Sequence, residues 1–194
     1  MKTEKTAKTE KAKKAEKTEK VWERVTQEFA PVCDADCRVL ILGTAPSRKS
    51  REVGFYYGHP QNRFWKMLAA VTGEEVPKSI EEKKALLLRN HIALHDVIHS
   101  CDIIGSSDSS IRNVEPADLE RILAVTGEVA VLCNGGTSYK LYRKYQEKRL
   151  GIPAVQLPST SPANAAWSLE RLTEAWGAML LPLIGKEKSE KESQ

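Results

Sequence analysis

The amino-acid sequence predicts an α/β fold, a three-layer α/β/α sandwich around a central, mostly parallel sheet. Two observations carry this. Apolar runs such as Cys37–Leu42 (CRVLIL) and Val129–Cys133 (VAVLC) are continuous rather than alternating, the pattern of strands buried on both faces. Helical segments separate these runs, and a strand–helix–strand succession implies right-handed crossovers. Of 194 residues, 41% are hydrophobic, enough for a real core at this length, and 29% are charged. No apolar stretch approaches the ~18 residues that cross a bilayer, so a membrane partner is not expected.

In chain order, Val21–Phe29 has the spacing of a short amphipathic helix. Cys37–Leu42 is a buried strand stopped by Gly43, and a long polar, aromatic loop follows from Thr44 to Gln61. Asn62–Val71 and Ser79–Arg89 read as helices, the second opened by Ser79 with Glu81 and Glu82 in its first turn. Ile92–Val97 is a strand, and Pro116–Val125 a helix with proline at its start. The strand Val129–Cys133 leads through Asn-Gly-Gly to a helix over Thr137–Lys148. Pro153–Leu157 is a short strand, and a last helix runs from about Asn164 to Leu181.

The charge is unevenly placed. Residues 1–20 hold eight Lys and four Glu, which accounts for the whole formal net charge of +4. That segment has no hydrophobic side chain larger than alanine after Met1 and is expected to be a disordered, Lys-rich tail with weak affinity for polyanions. Residues 186–194 form a second charged tail, so 21–185 is the expected single domain. The N-terminus lacks the apolar core of a secretion signal, which predicts a cytoplasmic protein. Four cysteines there are expected as free thiols.

Ligands of such a fold bind beyond the carboxyl ends of the strands. GTAPSRKS, CNGGTSY and LPSTSPANA fall there, joined by Phe55-Tyr-Tyr-Gly-His-Pro-Gln-Asn-Arg-Phe-Trp65. GTAPS is no phosphate-binding P-loop, since no Gly-Lys-Ser/Thr follows, and neither G-x-G-x-x-G nor G-x-S-x-G occurs. His91, His95 and His99 recur every four residues, but on a strand that repeat does not converge on one ion, so no metal site is expected. Phe64, Trp65 and Leu68 point inward from a helix, while Tyr56 and Tyr57 are placed to stack on a flat ligand.

Gly43-Thr-Ala-Pro-Ser47, the FYYGHPQNRFW segment and Leu157-Pro-Ser-Thr-Ser-Pro-Ala-Asn164 together resemble the uracil-DNA glycosylase superfamily. Within it, the resemblance is to the hypoxanthine (deoxyinosine) branch, near the mismatch-specific uracil/thymine enzymes, and spans roughly Val39 to Ala178. It implies a monofunctional enzyme that flips a deaminated base out of DNA and hydrolyses its N-glycosidic bond without metal or cofactor.

Residue by residue, Ala45 stands where the mismatch-specific branch carries a water-positioning asparagine. Asn62 then becomes the expected catalytic residue. Tyr57 matches the aromatic that stacks on the flipped base, and Asn134 matches a base-recognising asparagine, with His59 and Ala45 beside them. Pro158 to Asn164 matches the segment that presses into the minor groove, with Ser159 where an Asn would stand. Ser47, Arg48, Arg63, Ser159, Thr160, Ser161 and Asn164 are the expected DNA contacts. The implied partner is DNA holding a deaminated base, hypoxanthine before uracil, met by a monomer in the cytoplasm at the nucleoid, or in the nucleus of a eukaryote. A uracil or mismatch glycosylase, or a non-catalytic nucleic-acid-binding domain, are the alternatives that the residues leave open.

Chemistry points the same way. Cleaving the C–N bond of a deoxynucleoside builds cationic character on the sugar and negative charge on the base, so catalysis needs hydrogen bonds to the base and a placed water. An asparagine amide carries both a donor and an acceptor and suits either task. A Schiff-base lysine is not found in the motif segments, although Lys49 and Lys66 lie close in sequence.

Overall fold

A computed structural model describes residues 21–105 and 107–185; the tails expected over 1–20 and 186–194 lie outside the described residues. The strands are β1 (Trp22–Thr26), β2 (Val39–Gly43), β3 (Ile92–Asp96), β4 (Ile98–Ile104), β5 (Arg112–Pro116), β6 (Ala130–Asn134) and β7 (Ala154–Leu157). The helices are α1 (Arg48–Val53), α2 (Phe64–Thr72), α3 (Ile80–Arg89), α4 (Glu120–Thr126), α5 (Gly136–Tyr142), α6 (Lys148–Leu150) and α7 (Leu169–Ile184). β3, β2, β6 and β7 pair side by side in that order, all parallel.

Alternation along β2 creates the layers. Val39 and Ile41 point to one face, where Phe64, Leu68, Leu87 and Trp176 of α2, α3 and α7 cover them. Leu40 and Leu42 point to the other, against Ile122 of α4 and Tyr142 of α5. A strand buried on both sides must be apolar at every position, which is why CRVLIL shows no alternation. The sandwich with a parallel central sheet follows directly from that run.

A second sheet was not anticipated. β1, β4 and β5 form an antiparallel sheet in the order β1-β4-β5. Val21–Phe29 is therefore a strand and not a helix. Its Val21, Val25, Phe29 spacing fits a helix, but β4 offers a full ladder from Trp22↔Ile104 to Thr26↔Ser100, and pairing overrides local preference. Arg24 fixes the register through bonds to Ser100 Oγ at 2.6 Å and Asn113 O at 2.8 Å.

Other boundaries shift for identifiable reasons. The Thr44–Gln61 loop contains α1, opened by Ser47, whose Oγ accepts from Ser50 N, and closed by Gly54 at φ 75°. Pro116 ends β5 instead of opening a helix, because the next residue, Ala117, bonds Val97 O and continues the sheet edge. The helix after β6 passes through a π-turn at Arg143–Glu147, which turns Gln146 inward to donate to Ala117 O at 2.7 Å. Ser79 opens α3, as the sequence implies, and forms a capping box with Glu82. The last helix starts at Leu169, capped by Ser168, and not at Asn164.

Candidate active site

The carboxyl ends of β2, β3 and β6 open into a cleft of about 480 Å³. Four segments meet there: Gly43–Ser50, Tyr56–Asn62, Asn134, and Ser159–Ala163. All of the segments that the sequence nominated thus line one cleft. Its roof is the loop after β7, held in place by three side chains from beside the cleft and by Trp176 of α7.

Arg63 is the first. It precedes α2, and its guanidinium donates to the carbonyls of Thr160 (3.3 Å), Ser161 (2.5 Å), Asn164 (3.1 Å) and Trp167. Its backbone N–H also bonds Thr160 O. The expectation that Arg63 grips a phosphate is corrected: a planar five-donor fork is engaged by four backbone acceptors. Those bonds, with Asn164 Nδ2 donating to Ser159 O at 2.9 Å, accompany a non-helical path through residues 164–167, where the sequence predicts the start of the last helix. Trp176 of α7 adds a bond from Nε1 to Pro158 O.

Asn134 and Asn62 are the second and third, and both act on Thr160, which has no exposed surface. Asn134 Oδ1 accepts from Thr160 N at 3.0 Å while its Nδ2 donates to Thr160 Oγ1 at 2.9 Å. Thr160 Oγ1 in turn donates to Asn62 Oδ1 at 3.0 Å. Asn62 Oδ1 also accepts from Phe64 N at 3.0 Å, capping the approach to α2. This alters two expectations. Asn134 is not a wholly free amide: one N–H and one lone pair hold Thr160, and one of each remains. Thr160 is the hub of the loop and not an exposed DNA contact. For Asn62, both lone pairs of Oδ1 are engaged, so its NH2 group is the part left to serve a ligand.

Tyr57 stacks on Phe64 with ring centroids 4.0 Å apart and an angle of 24°. Its backbone sits at φ 52°, a left-handed conformation that costs a bulky residue energy and that the neighbouring contacts enforce. Its hydroxyl is buried without a hydrogen-bond partner among the described residues, and burial drives its pKa up. Tyr56, by contrast, belongs to the core. Its hydroxyl lies 2.7 Å from His95 Nδ1 and 3.1 Å from Ala30 O, so it is not the second stacking ring that the sequence suggested. Burial lowers the pKa of His95 to about 4.

The remaining nominated residues ring the mouth. Ser47 caps α1, Arg48 is exposed and paired with Glu52 at 3.3 Å, and Lys49 bonds the same carboxylate at 2.6 Å. His59 Nδ1 accepts from Gln61 N, and Ala45 packs against the cluster of Val25, Ile98, Cys101 and Ile103 under the second sheet. Ser159 and Ser161 accept bonds from Ser161 N and Ala163 N within their own loop. His91, bonded to Asp36 O, and the exposed His99 lie elsewhere.

Sequence reasoning missed Asp96. It ends β3, pairs in register with Gly43, and is buried on the floor of the cleft. Gln27, just past β1, donates from Nε2 to Asp96 Oδ2. Burial, only partly offset by that bond and reinforced by Asp108, pushes the Asp96 carboxyl up to about 7. A carboxylate at the end of an otherwise apolar run (IALHD) was the available signal. Its partner could not be foreseen while Val21–Phe29 read as a helix.

Fold and motif placement together define the class. A model of the uracil DNA glycosylase superfamily matches residues 30–180, nearly the whole described chain, and the protein belongs to that superfamily. Among its relatives, a protein of Methanosarcina acetivorans named hypoxanthine DNA glycosylase is 32% identical over 156 residues, covering 80% of this chain and 98% of that one. A protein of the same name from Methanosarcina barkeri is 37% identical over 90 residues, 46% of this chain and 57% of its own. The solution NMR structure of a candidate uracil DNA glycosylase from M. acetivorans superposes with a TM-score of 0.69 at 32% identity, covering 80% of this chain and 96% of that one.

Proposed function

We propose that this chain is a monofunctional DNA glycosylase that hydrolyses the N-glycosidic bond of deaminated bases in DNA, with hypoxanthine as its preferred substrate. The observation that carries the reading is the state of Asn62. Its amide is immobilised at the cleft by two bonds to Oδ1, which presents the NH2 group without the entropy cost of ordering it during reaction. A fixed neutral donor suits a leaving base on which negative charge grows, because the interaction is stronger in the transition state than in the ground state.

Tyr57, backed by Phe64, is the surface on which the flipped base stacks. Ser47, Arg48, Ser159, Ser161 and the loop N–H groups border the cleft where flanking phosphates pass. Asn134, Arg63 and Thr160 position the roof. Lys49, at the mouth, is held by Glu52, which fits hydrolysis and not Schiff-base chemistry. The reading carries DNA as partner, a monomer as the acting species, residues 21–185 as the catalytic unit, and the compartment holding the genome as its place of action.

Excision of hypoxanthine, uracil, xanthine and mismatched thymine from end-labelled duplexes tests it. The expected result is fastest release of hypoxanthine and a loss of about 100-fold or more in the single-turnover rate for Asn62→Ala, with DNA binding retained. An Asn62→Ala rate within threefold of the parent would refute the role of Asn62, and absence of excision on all four duplexes would refute the enzyme.

A further inference from the structure

Hydrolysis needs an acceptor for the attacking water, and the residues already assigned do not supply one. Ala45 has no polar side-chain atom, and both lone pairs of Asn62 Oδ1 are taken by Phe64 N and Thr160 Oγ1. The parallel pairing of β2 with β3 brings a carboxylate to the same place from the neighbouring strand. Asp96 lies opposite Gly43, the first residue of the GTAPS turn. A Cβ at Gly43 would collide with Asp96 Oδ1 and come within 3.2 Å of Tyr57 Oη, so only glycine lets both groups converge over that backbone. Gln27 fixes the carboxyl from behind. Its Nε2 donates to Asp96 Oδ2 while its Oε1 accepts from Phe29 N at 2.9 Å and its backbone N–H bonds His99 O at 2.7 Å. Oδ1 is left on the side of Gly43 and the cleft.

We propose that Asp96 is a catalytic residue of this site, whose carboxylate accepts a hydrogen bond from the attacking water and takes its proton. The assignment rests on the glycosylase reading above. In the step, a water O–H bond breaks and the oxygen bonds C1′ of the sugar. The glycosidic C–N bond breaks with its electron pair going to the base, which departs as an anion and is protonated by solvent. Asp96 returns its proton to solvent. Burial holds this carboxyl near neutrality, where it is basic enough to accept a proton and still ionised above pH 7. The titratable and charged groups facing it are Tyr56 and Tyr57 from the α1–α2 connection, Asp108 from the β4–β5 turn, and His59, Arg48 and Lys49 at the mouth. The two tyrosines have raised pKa values and stay neutral over the range in question.

The test is single-turnover release of hypoxanthine by the full chain from pH 5.5 to 9, for the parent, Asp96→Asn and Asp96→Ser, with melting temperature and duplex binding measured alongside. The parent rate is expected to rise about tenfold per pH unit below neutrality and to level above about 7. Asp96→Asn keeps the Gln27 bond and the shape of the site. It should melt no lower than the parent, bind DNA equally, lose about 100-fold or more at pH 8, and show a flat profile. Asp96→Ser should repeat the loss if the asparagine variant folds poorly. A parent rate that is flat or falls with rising pH overturns the proposal. So does an Asp96→Asn enzyme that stays within threefold, or one that keeps the slope, which would assign the titration to a group other than Asp96. A parent inert on all four duplexes removes the glycosylase reading itself and the assignment with it.

Discussion

Replacing Arg63 by lysine separates a loop clamp from a phosphate contact. Four carbonyls, of Thr160, Ser161, Asn164 and Trp167, accept from the guanidinium. An ammonium group has the same charge but no planar fork and can reach one or two of them at once. Two or three partly buried acceptors are then left to water. At about 1 kcal/mol each, below the range for fully buried bonds to charged donors, the loss is about 2–3 kcal/mol. For a chain of this size that is a fall in melting temperature of roughly 4–12 °C. Thermal unfolding followed by circular dichroism reads it, and excision should fall with it because Thr160 and hence Asn62 lose their support. A phosphate grip has the opposite signature. Lysine would leave the melting temperature unchanged, and Arg63→Gln would flatten the salt dependence of DNA binding by about one ion equivalent. That pair of results would refute the clamp.

Asn134→Ala removes both bonds to Thr160 and should cost about 1–3 kcal/mol while slowing hypoxanthine and uracil excision by the same factor; a change in the ratio of the two rates would restore Asn134 as a base reader. The stability of the parent should also depend on Asp96. Burial pushes its carboxyl up to about 7 when folded, against about 3.9 for an ordinary aspartate, so between those limits the unfolded chain ionises first and stability falls as pH rises. Below about 4 both states are protonated and the full stability remains; above about 7 the loss is complete. Asp96→Asn lacks this loss, so its urea-unfolding free energy should gain on the parent by on the order of 4 kcal/mol between pH 4 and pH 8. A gap independent of pH would place the carboxyl in water.

The central sheet was legible because burial on both faces demands unbroken apolar runs, and VLILG and AVLCN have no other economical use. The loops at the strand ends could be nominated for the same reason, since polar and glycine-rich segments are excluded from such a core. Tyr57 stood out because the crowded, polar FYYGHPQNRFW segment does not read as core, and Asn62 only through the resemblance that this segment carries. What each side chain touches was not legible. A guanidinium beside a DNA cleft looks like a phosphate ligand until residues 158–167 fold over it, and an asparagine before Gly-Gly looks free until Thr160 arrives 26 positions later. The placement of Asp96 needed even more, namely that β1 be a strand, that β4 carry it beside β3, and that Gln27 emerge at its end. Local sequence determines which segments must be buried and which must bend. Only tertiary structure decides hydrogen-bond partners, because each buried donor or acceptor is satisfied by whichever group the packing of distant segments brings within about 3 Å.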